Sequence, residues 1–169
     1  ASVLALCGEK PMADRADGMT ALGVDTGSQL HAVVLRIERN NYKIRHLIHL
    51  AVCDTFEQLD GLMERFKVNR CVIDGLPETH ATRAFAKRHH GRVYLNFFNE
   101  NQRGSAMWNH PERTVQINRT EALDASRAAV RDKEFTLPRQ ERIVEEFARH
   151  MAADAKVLSV IWIEKMREK

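Results

Sequence analysis

Two carboxylates stand out because each closes an apolar run: Asp25 in ALGVDTGSQ and Asp74 in RCVIDGLP. Three kinds of chemistry are open to the first. Asp25-Thr26-Gly27-Ser28 could present an acid that shares a proton with a second acid and activates water. It could equally present a carboxylate that holds a divalent metal, or open a strand-to-turn loop that touches phosphate. A second acid at the end of another strand favours paired-carboxylate chemistry, provided the elements between them bring the two strand ends together.

The 169 residues, 44% of them hydrophobic, are enough for one well-buried core and few for two, so a single domain is expected. A net charge of +3 with 29% charged residues is a mild basic bias, which permits a nucleic-acid partner without arguing for one. No apolar run approaches the roughly 20 residues that span a bilayer, and the N-terminus has neither a basic start nor a cleavage pattern; a cytoplasmic location is expected. Cys7, Cys53 and Cys71 form no C-x-x-C pair and are odd in number, so reduced thiols are expected rather than disulfides or a zinc site.

Residues 1–19 carry Gly8, Pro11 and Gly18 without sustained periodicity and read as a linker or N-terminal arm, ahead of a domain spanning 20–169. ALGVD, HAVVLRIE (31–38) and YKIRHLIHLAV (42–52) read as three strands, with Asn40-Asn41 suited to a tight turn between the last two. Thr55 with Gln58 offers a capping box for a helix whose Phe56, Leu59, Leu62, Met63 and Phe66 share a face. RCVID (70–74) is a fourth strand. A helix is expected from Pro77 to the basic end AKRHH, where Gly91 stops it. GRVYLNFF is a strand, and NENQRGSAMWNHPE (99–112) reads as a long polar connection of the kind that is functional or mobile. TVQIN (114–118) is strand-like. Asn118 with Glu121 caps a helix through Val130, and FTLP leads to a last helix with Ile143, Val144, Phe147 and Met151 on one face. The expected order is βββαβαβαβα or close to it.

That order sets aside two of the three chemistries. Aspartic proteases are almost wholly β and need two Asp-Thr-Gly loops, whereas this chain has one and about four helices. No G-x-x-x-x-G-K-[ST] is present, so RCVID is not the acid strand of a P-loop ATPase, and actin-like ATPases are about twice this length or more. What remains is an α/β, ribonuclease H-like fold with a central mixed sheet flanked by helices, in which strands one and four lie side by side. Asp25 and Asp74 would then meet at one sheet edge, where paired oxygen ligands suit Mg²⁺ or Mn²⁺ and two-metal phosphodiester hydrolysis.

The stretches LGVDTGSQLHAVV, CVIDGLPET, VQINRTEALDASRAAV, FTLP and EEFARHMA, in this order from about Gly23 to Met151, resemble the C-terminal nuclease domain of the large terminase subunit of tailed bacteriophages and prophages. The resemblance implies a two-metal endonuclease that cuts concatemeric double-stranded DNA during packaging. Asp25 and Asp74 match the family's first two metal-binding acids. It also implies a preceding packaging ATPase domain, whose Walker motifs this sequence lacks, and as partners the small terminase subunit and the portal or procapsid. The family usually carries a further acid near the C-terminus in a Gly-x-Asp-His-like stretch. This sequence holds no Asp-His pair, and Asp154, after EEFARHMA, is the candidate in its place.

Other residues have plainer readings. His46 and His49, three apart on a strand, point to opposite faces and make a poor joint metal site. His89-His90 complements a helix dipole, and His80, a few residues after Asp74, either approaches the site or, the plainer reading, faces solvent. Lys87, with Arg88 and Arg92, forms a basic cluster that is a DNA-binding candidate or a solvated face. Arg103, in the polar loop with Trp108, is the better DNA-contact candidate, and Trp162 reads as core. Two alternatives stay open: a junction-resolvase-like nuclease on the same fold, and a catalytically weak or inactive nucleic-acid-binding module.

Overall fold

The structure, a computed structural model, describes residues 3–16, 18–41, 44–76 and 79–153, with no side-chain detail for 151–153. Its centre is a set of strands buried on both sides. β1 (Thr20–Asp25) and β4 (Arg70–Asp74) are buried along almost their whole length, which is why both read as unbroken apolar runs rather than as alternating ones. They pair in parallel. β2 (Leu30–Ile37) and β3 (Arg45–Cys53) continue the sheet on one side as an antiparallel meander. β5 (Val93–Phe98) pairs in parallel with β4 on the other.

Helices close both faces. α1 (Phe56–Arg65) carries the expected capping box: the Thr55 hydroxyl accepts from the Gln58 amide while the Gln58 side chain accepts from the Thr55 amide. Its Leu59 and Met63, with Phe66 at its cap, are fully buried against β1, β4 and β5 together with Phe85 of α2 (Thr79–Arg88). Each such side chain contributes roughly 1.5–3 kcal/mol of burial. α3 (Arg119–Arg131) is capped by Asn118, whose side chain accepts from the Glu121 amide. It covers the opposite face with α4 (Arg142–Ala153), through Ala122, Ala129 and Val144. Gly91, at φ +84°, ends the α2 turn as its conformational freedom allows. No helix among the described residues is long and apolar enough to cross a membrane, and the three cysteines are free thiols.

After β5 the element order differs from βββαβαβαβα: in keeping with the polar character of 99–112, no helix precedes β7 (Thr114–Ile117), which pairs with β5 in parallel. The polar stretch 99–112 instead contains an edge strand, β6 (Met107–Asn109), antiparallel to β7. Its low β-character in isolation is overridden by pairing: Trp108 packs edge-on to Tyr94, and the Arg70 guanidinium lies over both rings. The loop before it is tied down by Asn99 to Gln116 and by Asn118 to the Glu100 carbonyl. FTLP supplies a further strand, β8 (Phe135–Thr136), parallel to β3 and held by the buried Arg45 guanidinium donating to Glu134. The eight strands run β6-β7-β5-β4-β1-β2-β3-β8.

Residues 3–16, expected as a linker or arm, lie along the domain. Val3–Leu6 forms one 3-10 turn with Leu6 buried, Gly8 and Leu6 bond to both backbone groups of Leu137, and the Ala13 amide donates to Ile48. A bulge in the β2–β3 ladder interrupts alternation near His49, so residue spacing alone does not decide which face the two histidines take. They remain apart: His46 bonds Glu38 and Thr136, and His49 bonds Ala13 and Arg65. His89 is no dipole ornament. It is buried and bonded to Asp60, joining the end of α2 to α1 with Arg88 alongside.

His49 couples the arm to pH. Its Nδ1–H donates to the Ala13 carbonyl, which leaves Nε2 unprotonated to accept from Arg65. Burial first, then the Arg65 charge, lowers its pKa against the opposing effect of the Ala13 bond. A histidine lowered in the folded state contributes stability that is present above its ordinary range and lost as pH falls through the folded value. Between pH 7 and pH 5 the wild-type chain should therefore lose urea stability faster than His49→Gln; parallel curves for the two proteins would remove His49 as the cause.

Candidate active site

Strand pairing fixes where the two acids meet. In the parallel β1–β4 ladder Val24 stands beside Ile73, and the next step sets Asp25 level with Asp74. Neighbouring strands are about 4.8 Å apart, and level residues project to the same face, so the two carboxylates start side by side. The ladder extends on both flanks: His31 of β2 pairs with Asp25, and Asn96 of β5 pairs with Asp74. β1 leads away to β2 and β4 leads away to β5, so the carboxyl ends of β1 and β4 flank a topological switch point. In open α/β sheets that crevice is where ligands bind.

The loops after the acids are held by side chains of the same sequence motifs. Thr26 is buried, and its hydroxyl donates to the Leu76 carbonyl at 2.7 Å, tying the turn after β1 to the turn after β4. Thr79 donates to the Gly75 carbonyl at 2.5 Å and pins the start of α2 to the same turn. Gly75 is required for space: a Cβ there would stand 2.3 Å from the Phe97 ring. Asp-Thr-Gly is thus an acid followed by a structural clamp, and Asp-Gly-Leu is an acid followed by a turn that accepts the clamp.

Asp74 is 9% exposed, and Asp25 is half-buried. Asn96 is buried more deeply, at 2%, and neither its Oδ1 nor its Nδ2 has a hydrogen-bond partner among the described residues. Two level carboxylates and an adjacent unpartnered carboxamide form an all-oxygen donor set, the type that hard divalent cations prefer. No group of three or more His, Cys, Asp or Glu side chains with metal-binding spacing occurs among the described residues. Asp154, the third acid suggested by sequence, lies outside them, as does Trp162. α4 nevertheless heads to this edge, since the His150 and His31 rings are 5.6 Å apart.

The other sequence candidates separate. Arg103 belongs to the loop that leaves the carboxyl end of β5, on the acids' edge of the sheet; its side chain is 73% exposed and its guanidinium is 3.7 Å from Glu121. Lys87 is in the last turn of α2, beside the residues that lead into β4 and β5, and so at the opposite edge from Asp74. His80 is exposed. Asn96, His31 and His150 were not singled out in the sequence. The available signal for Asn96 was one carboxamide inside the apolar strand VYLNFF, which only the β4–β5 register turns into a site residue.

No family model and no curated protein sequence matches the chain. Solved structures do. The nuclease domain of the phage P22 large terminase superposes with a TM-score of 0.55 at 11% identity, over 94% of this chain and 90% of that one. The large terminase nuclease of the thermophilic phage G20c, solved with bound zinc, gives 0.53 at 12% identity, over 96% and 94%. At these identities the likeness is one of fold, and the ribonuclease H-like α/β architecture expected from the sequence is the one observed.

The Thr26 clamp is testable by itself. Thr26→Val keeps the shape and removes the donor, leaving the Leu76 carbonyl without it, and should cost about 1 kcal/mol of unfolding free energy in urea titrations. Thr26→Ser should retain most of that. Equal stability of all three proteins would show that the hydroxyl does not hold the two turns together.

Proposed function

We propose that the chain is a metal-dependent DNA endonuclease domain of the phage terminase type, cutting double-stranded DNA. The observation that carries this reading is the β1–β4 register, which runs to Val24 beside Ile73 and so sets Asp25 and Asp74 level at the switch point of the sheet. The terminase nuclease fold neighbours support it, and one of them holds a zinc ion. Mg²⁺ or Mn²⁺ is the physiological choice we favour, because Asp25, Asp74 and Asn96 offer oxygen donors, while the imidazole level with Asp25, that of His31, packs edge-on against His150.

When bound, the cations would lower the pKa of an attacking water and stabilise the leaving oxygen of the phosphodiester. The chain's own residues have narrower tasks. Asp25 and Asp74 supply two negative charges on a rigid sheet edge, so their positions are set before substrate arrives. Thr26 and Thr79 hold the turns that flank them. Arg103, exposed at the same edge, would exchange its Glu121 partner for a backbone phosphate. Such contacts position a duplex without reading its sequence, and the reading accordingly includes weakly sequence-dependent cutting. It carries with it a packaging ATPase domain, a small terminase subunit and the portal or procapsid as partners of the full system.

One observation favours a second reading, a nucleic-acid-binding module that cuts weakly or not at all: the described residues contribute two acids to the edge and no third. Supercoiled plasmid with Mn²⁺ distinguishes the readings. The purified chain should convert it to nicked and linear forms, EDTA should abolish conversion, and Asp25→Asn or Asp74→Asn should each reduce the rate at least 100-fold, on the order of what a lost transition-state charge contact costs. Activity that survives EDTA, or wild-type rates in both variants, would overturn the endonuclease reading.

DNA affinity should fall steeply with salt. Arg103→Ala should lower the log–log slope by about 0.9, the value of one released counterion at B-DNA. A slope unchanged by that substitution would take Arg103 out of the interface, and the same measurement on Lys87→Ala reports whether a duplex extends to the opposite edge.

A further inference from the structure

We infer that Asn96 is a metal ligand, contributing its side-chain oxygen beside Asp74; this rests on the metal-dependent reading of the same site. The ladder puts Asn96 level with Asp74 on the next strand, so three polar side chains, Asp25, Asp74 and Asn96, stand in a row across β1, β4 and β5 at the carboxyl ends of the strands. Around them the strands are apolar. Val72 and Tyr94, two residues back along β4 and β5 on the same face, belong to the core, and so does Val115, level with Asn96 on β7.

A carboxamide at 2% exposure with both polar atoms unpartnered among the described residues is expensive. Leaving one buried donor or acceptor unmade costs roughly 1–3 kcal/mol, and buried polar groups in native proteins are rarely left so. Valine or leucine would fill this strand position without that cost. The side chain is therefore explained by something it meets in the working protein, and its neighbour in register is a carboxylate of the metal pair. A carboxamide oxygen is an ordinary ligand for hard cations.

Charge explains why the position holds Asn rather than Asp. Asp25 and Asp74 together balance one divalent cation. A neutral third ligand fills another coordination position without burying a third negative charge, which would be costly in the metal-free protein. The site so described binds one cation firmly from the protein alone. A second cation needs further negative charge, and the backbone phosphate of DNA supplies it, so the second position fills with substrate. The amide Nδ2–H of Asn96 stays available to donate to the Asp74 carboxylate and hold its orientation, as outer partners of metal ligands commonly do.

The test is Mn²⁺ binding to the metal-stripped 169-residue chain, by calorimetric titration and by the loss of the free-ion electron paramagnetic resonance signal, without DNA. Wild type should bind one Mn²⁺ per chain. Asn96→Val should weaken it on the order of 10-fold or more, and in EDTA should melt at or above the wild-type temperature, because the unpartnered amide is gone. Asn96→Asp should bind at least as tightly as wild type and melt lower in EDTA. Should Asn96→Val not fold, Asn96→Asp decides the matter: Mn²⁺ affinity unchanged or tightened with lowered metal-free stability supports a ligand, and weakened affinity overturns it. Wild-type affinity in Asn96→Val, with affinity lost in Asp74→Asn, overturns the role of Asn96 and leaves the metal site standing. Unchanged affinity in both Asp25→Asn and Asp74→Asn overturns the metal reading itself.

Discussion

The parallel pairing of β1 with β4 is the constraint on which the rest depends. A parallel pair needs a long crossover, here β2, β3 and α1, before the chain can return beside its first strand. It is stable only when both faces are covered, and α1 with α2 on one side and α3 with α4 on the other provide that cover. Because side chains alternate with a period of two, a slip of one residue between these strands would turn Asp74 away from Asp25 and Cys71 and Ile73 out of their cluster. The same packing that sets the register therefore sets the site, and apolar burial is what enforces the meeting of the two acids.

Polar groups at the carboxyl end of this sheet run against the logic of its core. Several buried polar side chains elsewhere have a visible partner: Thr20 donates to the Phe66 carbonyl, Arg45 to Glu134, His89 bonds Asp60, and Ser126 donates back to Ala122. Asn96 has none for either of its polar atoms among the described residues, and it lies beside the acids. Natural folds keep such local violations where function needs them, offsetting the cost with surplus stability elsewhere. The Tyr94, Trp108 and Arg70 stack and the tied loop before β6 show where this half of the sheet regains order close to the site.

Rigidity at the edge comes from short side chains rather than from long ones. Thr26 and Thr79 are each one rotatable bond from the backbone, so fixing their hydroxyls on the carbonyls of Leu76 and Gly75 costs little conformational entropy. Gly75 lets the Phe97 ring lie against the turn itself. These contacts set both carboxylates on firm backbone at the edge of the sheet.

Much of this was readable from the chain. The apolar runs ending in Asp25 and Asp74, the Thr55 capping box, the Asn118 cap and the Gly91 stop are local signals, each decided by a few neighbouring residues, and the structure follows them. Residues 99–112 and 135–137 were misread as connections, because β6 and β8 are three and two residues long and exist only through pairing with β7 and β3. The bulge near His49, the His89–Asp60 bond and the packing of residues 3–16 likewise depend on partners distant in sequence. The sequence by itself determined which residues are acids at strand ends and which fold class they belong to, since composition and periodicity are properties of contiguous segments. Only the tertiary structure decided that Asn96 completes their row and that Lys87 stands at the other edge, because strand register and the direction of a returning helix are set by packing across the whole sheet.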